Sequence, residues 1–159
     1  MKTLVIGAAI IDIIMKIKRL PKSGEDILCS ETVSAVGGCA YNVAGTLRGF
    51  GVDHDLFVPV GRGMYGDMIA GDLEKLGYQI LIREEESDNG YCLCLVEEDG
   101  ERTFITVKGA EGRFRPSWFE QLSQDAYDSI YVAGYQVCGT SGGVISDWMA
   151  GAKDRMKGK

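Results

Sequence analysis

Apolar residues fall into short runs separated by glycines and polar turns, and their spacing alternates between a strand period and a helix period. Residues 3–9 (TLVIGAA) form an apolar run with little polar alternation, which predicts a buried strand. Polar turns around Pro21, Lys22, Ser23 and Gly24 follow. Residues 27–35 (ILCSETVSA) alternate roughly in polarity and predict a strand with one wet face. Gly37-Gly38 then leads into a helix over 40–50, which Gly51 ends. Residues 54–60 predict another strand, 65–76 a helix stopped by Gly77, and 78–82 a short strand. A hairpin is predicted around Glu98-Asp99-Gly100, where Asp-Gly supplies the positive φ of a tight turn. Pro116 opens a helix to 122, residues 129–133 predict a buried strand, and 143–156 a final helix.

Two patterns are interleaved. Strand–helix alternation predicts an α/β fold with a doubly wound, mostly parallel sheet and helices on both faces. Segments 27–35, 90–97 and 101–107 do not alternate with helices and predict a small separate sheet. The core strands number four and leave one edge unfinished. That predicts a truncated sheet, or an edge covered by a partner.

Composition narrows the classes. The chain has 159 residues, enough for one domain with a core. A net charge of −6 argues against a broad nucleic-acid surface, which needs many Lys and Arg to displace counterions. The first apolar run is too short to span a bilayer and shows no secretory signal, so no membrane partner is expected. Five cysteines without a CxxC pair suggest neither a disulfide framework nor a zinc site, and fit a reducing cytoplasm. The single histidine, His54, reads as a strand-edge residue and leaves no His-based triad or metal site. Glu84 to Glu86 read as a solvated acidic turn, and Trp118 and Trp148 as helix-face core residues. Lys153, Arg155, Lys157 and Lys159 suit a helix C-terminus.

The segment Gly37-Gly38-Cys39-Ala40-Tyr41-Asn42 carries candidate chemistry. Two glycines let a ligand approach the backbone. The helix start offers free N–H groups and a positive dipole end. Asn42 offers a donor and an acceptor, suited to a hydroxyl. The longer stretch 37–61 resembles the first sequence pattern of the PfkB/ribokinase-type carbohydrate kinases. Gly37, Gly38, Ala40, Asn42, Ala44, Gly51 and Gly61 hold its places at matching spacings. Residues 1–12 resemble the family's first strand ending in Asp. Pro21-Lys22-Ser23-Gly24-Glu25 resembles its Pro-x-x-Gly-Glu turn, and residues 61–67 its Gly-x-x-x-x-Gly-Asp segment.

The resemblance implies a ribokinase-like fold over residues 1–159. It corresponds to the N-terminal half of such a domain, with a β lid inserted at 27–35, 90–97 and 101–107. It implies the substrate-binding portion of an ATP-dependent sugar or nucleoside kinase, transferring a phosphoryl group to a primary alcohol. Asp12, Gly37, Gly38 and Asn42 are the matching substrate-side residues. Cys92, Cys94 and Thr106 on the lid, and Gln136 after the strand at 129–133, match positions that often line the sugar pocket. The family uses ATP and Mg2+, and its catalytic Asp ends a Gly-Ala-Gly-Asp run. That run is absent here; Ala70-Gly71-Asp72 lies inside a predicted helix and is a decoy. No catalytic residue is therefore assigned, and the chain alone is expected to be inactive and to bind no nucleotide tightly. A homodimer through the lid is a further expectation.

Two rival readings stand beside this one. Gly61-Arg62-Gly63-Met64-Tyr65-Gly66 is a GxGxxG between a strand and a helix, with Glu84 roughly 20 residues on, the layout of an NAD-binding Rossmann-type oxidoreductase domain. It sits after the second core strand rather than the first, and the kinase pattern explains the same glycines. The other rival is a non-catalytic, truncated binding or dimerisation module.

Overall fold

A computed structural model of the chain describes residues 1–152. The basic positions from Lys153 to Lys159 lie outside the described residues. The centre is a three-stranded parallel sheet of β1 (Lys2–Ile6), β4 (Asp53–Phe57) and β9 (Ser129–Val132), ordered β4-β1-β9. Val5 stands opposite Leu56 on one side and Tyr131 on the other.

Both faces of this sheet are covered, as the uninterrupted apolar run of β1 requires. Successive strand residues point to opposite faces. Val5 joins one core with Ala40, Ala44, Ile69 and Leu73, which come from α1 (Cys39–Gly49) and α2 (Met64–Lys75). Leu4 and Ile6 join a second core on the other face. There they meet Phe114, Phe119 of α3 (Pro116–Phe119) and Ile145 of α5 (Gly142–Ala152). Trp118 and Trp148 pack against this second core as expected. The helices over 40–50, 65–76 and 143–156 are found within a residue or so, in the last case as far as the described residues run.

A second sheet of four strands stands beside the first. It contains β2 (Ile10–Lys16), β3 (Glu31–Gly37), β7 (Tyr91–Val96) and β8 (Arg102–Val107), in the order β3-β2-β7-β8. The sequence analysis counted three of these strands and missed β2. Asp12 was read as the end of one long strand, but the chain breaks at residues 7–9 and Asp12 is the third residue of a new strand. A carboxylate ends a buried run. It is tolerated where a strand has one open face. The hairpin at Gly100, with φ +88°, forms as its Asp-Gly pair dictates.

The core sheet is also smaller than expected. Residues 54–60 divide into β4 and a two-residue β5 (Pro59–Val60), which pairs only with β6 (Ile82–Arg83). Residues 78–81 are not strand. The end of α2 consumes them: Gly77 takes φ +80°, and the Tyr78 N–H returns to the Leu73 carbonyl, closing a glycine C-cap. A short helix α4 (Gly134–Val137) follows β9 and was not foreseen.

Candidate functional site

A cavity of about 400 Å³ opens between the four-stranded sheet, the start of α1, and α4. Three of the expected residues reach it from adjacent strands in a single row. Asp12 of β2 is in register with Cys92 of β7, and Cys92 with Thr106 of β8. In-register neighbours share a face of the sheet, so the three side chains line one wall. Thr106 Oγ1 donates to Cys92 Sγ at 3.4 Å. Cys94 falls in the next row, beside Phe104, and does not line the cavity. Its thiol is buried, and burial pushes its pKa up.

Asp12 is half-buried, and its carboxylate has no hydrogen-bond partner among the described residues. Burial pushes its pKa above the ordinary 3.8, since removing water disfavours the charged form. Gly37, paired with Ile10 on the neighbouring strand, lies directly beneath that carboxylate. A Cβ at Gly37 would overlap Asp12 Oδ2 and come within 2.9 Å of its Cγ. Gly37 does not itself line the cavity. It makes room for the side chain that does.

Gly38 is the N-cap of α1 and takes φ +101°, a conformation that L side chains rarely adopt. A Cβ there would sit 2.6 Å from the Ala8 carbonyl oxygen. No side chain caps α1, so Asn42 is not a cap. It stands one turn into the helix, exposed on the side that faces the cavity. Gly38 and Cys39 complete that wall.

Gln136 closes the floor. It is 8% exposed and sits on α4, just after the buried Ala133 whose N–H bonds the Ile6 carbonyl. Its Oε1 is fully buried without a hydrogen-bond partner. Such an orphan is uncommon, because buried polar atoms are nearly always paired. Gln136 itself lines a cavity that also holds the Asp12 carboxylate and the Asn42 amide. Together they can accept and donate several hydrogen bonds to a polyhydroxylated molecule.

Several lining residues escaped the sequence analysis, among them Phe104, Lys108, Glu111 and Tyr135. Glu111 is 3% exposed and carries two backbone hydrogen bonds. The small residues Gly109-Ala110 before it, directly after a strand, were the only signal.

The GxGxxG turn at 61–66 is already filled. The Asp88 carboxylate accepts from the N–H groups of Tyr65 (3.1 Å) and Gly66 (2.6 Å) at the start of α2, and from Asn89 (2.7 Å). The positive end of that helix is neutralised from within, where a dinucleotide pyrophosphate would have to sit. Glu84 is not a solvated residue either. It is 4% exposed and pairs with Arg115 at 2.7 Å. Asp72 faces α1 and accepts a hydrogen bond from the Tyr41 hydroxyl, as befits a residue inside a helix. His54 lies on the edge strand β4, with its ring nitrogens against the Val52 carbonyl and the Tyr78 hydroxyl. Among the described residues, no helix is long and apolar enough to cross a membrane.

The chain is 37% identical over 151 residues to the uncharacterised sugar kinase YegV of Escherichia coli (strain K12), covering 95% of this chain and 47% of YegV. Its fold is similar to that of the ribokinase of Giardia lamblia, with a TM-score of 0.85 and 22% identity, over 97% of this chain and 51% of the other. Arabidopsis thaliana ribokinase, solved with ribose and ATP, is similar over 68% of this chain and 36% of its own length, at TM-score 0.60 and 28% identity. The fold is therefore ribokinase-like, and the chain spans about half or less of the length of these relatives. The pfkB family carbohydrate kinase pattern matches residues 1–153, and the chain belongs to that family.

Proposed function

We propose that the cavity binds the polyol substrate of an ATP-dependent sugar or nucleoside kinase, and that this chain supplies the substrate side of the site. The observation that carries the proposal is the Asp12 carboxylate, without a hydrogen-bond partner among the described residues, on the wall of a cavity that Asn42 and Gln136 also line. A carboxylate acceptor and an amide, in a cavity large enough for a monosaccharide, suit hydroxyl groups. Gly38 lets the ligand approach the start of α1, while Cys92 and Thr106 form the wall contributed by the second sheet. Gly37 acts through Asp12, and Cys94 through packing in the row beside Cys92. In this reading the four-stranded sheet is the lid inserted into the α/β domain.

Phosphoryl transfer itself depends on positioning and charge stabilisation around ATP. Among the described residues, no group of three or more His, Cys, Asp or Glu side chains converges to hold a metal ion. The family's Gly-Ala-Gly-Asp run is absent from this sequence, so no catalytic residue is assigned to it and the chain alone is expected to be inactive. A thermal-shift screen against sugars and nucleosides tests the substrate side. Asn42→Ala should abolish the shift given by the best ligand; an unchanged shift would remove Asn42 from the site.

The dimerisation reading also has an observation behind it. Val33 and Phe104 are 48% and 58% exposed on the cavity face of the sheet, and Ile105 and Val107 are 51% and 44% exposed on its other face, apolar side chains that a second copy of the sheet could cover. Sedimentation at high concentration checks it, since a monomer under those conditions would count against self-association.

A further inference from the structure

Glu111 is the buried charged group of the cavity wall that the substrate reading leaves without a role. It sits in a single 3₁₀ turn (Ala110–Gly112) just beyond β8. Its two carboxylate oxygens hold two different segments. Oε2 accepts from the Gly90 N–H at 2.8 Å, and Oε1 from the Gly109 N–H at 2.9 Å. Gly90 is the residue before β7, and Gly109 lies two residues after β8 ends. These are the points where the β7–β8 hairpin joins the α/β body. The two segments cross so closely that a Cβ on Gly90 would lie 2.8 Å from the Gly109 nitrogen. The Gly90 carbonyl also accepts from Ile11 N–H on β2, at 3.3 Å. One buried carboxylate thus sets the crossing from which Cys92 and Thr106 are carried to the cavity.

We propose that Glu111 is a positioning residue that couples occupancy of the cavity to the placement of the four-stranded sheet. The coupling rests on the polyol reading of the cavity; the pinning of the hairpin does not. A carboxylate accepts at both oxygens, so both hinge amides are held. A glutamine in its place presents one acceptor and one NH2 donor, so one amide loses its partner and meets a donor instead. The hairpin then pivots more freely, and a ligand must order it on binding.

The test is hydrogen–deuterium exchange at the amides around residues 90 and 109, together with titration of D-ribose and D-fructose, on the full chain and its Glu111→Gln and Glu111→Asp variants. In Glu111→Gln, exchange at both hinge segments should rise about tenfold while β1 is unaffected, and sugar affinity should fall about tenfold. In the parent chain, sugar should further protect the two hinge segments; in Glu111→Gln that protection should be lost. Glu111→Asp keeps the carboxylate and should recover part of both effects. It also serves as the readout if Glu111→Gln does not fold, where raised hinge exchange is again the expected result. Unchanged hinge exchange overturns the pinning. Raised exchange with unchanged sugar affinity overturns the coupling. A parent chain that binds neither sugar nor any other polyol overturns the polyol reading and the coupling with it, while the exchange data still decide the pinning.

Discussion

Gly37→Ala tests the proposal that Asp12 touches the ligand and that Gly37 only makes room for it. Gly37 has no positive φ, so alanine fits its backbone. The nearest atoms to an added Cβ all belong to Asp12. Asp12 is half-buried on a strand with an open face, so its side chain can rotate away from the clash. That rotation should cost about 0.5–1.5 kcal/mol, the range for a side chain forced off its rotamer. At roughly 2–4 °C per kcal/mol for a chain of this size, the melting temperature should fall by only a few degrees. Ligand affinity should fall much further. A carboxylate that loses its hydroxyl donors gives up about 1.5–3 kcal/mol per hydrogen bond, or roughly ten- to a hundredfold in Kd. Calorimetric titration of the best sugar ligand against Gly37→Ala, Asp12→Ala and the double variant is the assay. The two single variants should bind equally weakly, and the double variant no more weakly than either, because both remove the same contact. Wild-type affinity in Gly37→Ala would refute the reasoning, as would additive losses in the double variant.

Two further outcomes follow from the site's electrostatics and from the filled glycine turn. The raised pKa of Asp12 means the folded chain holds its proton more tightly than the unfolded chain, so its contribution to stability declines as pH rises past 3.8. Asp12→Asn should accordingly melt higher than the parent at neutral pH, with the gain shrinking as pH falls towards 3.8, while sugar affinity is lost; melting curves across pH show either pattern. Asp88→Ala removes the cap of α2 and should cost about 2 kcal/mol in urea denaturation. NADH fluorescence should show no saturable binding before or after that change, and a micromolar isotherm would revive the dinucleotide reading.

Local chemistry was legible in the chain where neighbours in sequence decide it. Gly37 and Gly38, Asn42, the Asp-Gly hairpin at Gly100 and the helix stop at Gly77 were all readable. Each rests on backbone conformation or helix phase within a few residues. The doubly wound α/β class followed from strand–helix alternation, and the ribokinase-like fold from the family resemblance carried by residues 37–61. Asp12 was singled out and does line the cavity, but it was placed on the wrong element. A polar residue in an apolar run signals a strand end only when both faces are buried, and nothing local says that the face at residue 12 is open. Glu84 failed in the opposite direction. Three consecutive acids look solvated, yet Arg115, thirty-one positions away, allows the first of them to be buried.

By itself, then, the sequence determined the glycine-rich start of the helix at Gly37–Asn42, the family pattern and the order of most elements. The tertiary structure alone decided which side chains meet. It aligned Asp12, Cys92 and Thr106 across three strands, left Gln136 Oε1 buried without a partner, and set Asp88 in the glycine turn of the dinucleotide-type pattern. It also gave Glu111 both hinge amides. Those relations depend on register and on burial, and both are set by pairing between segments tens of residues apart, which no local pattern encodes.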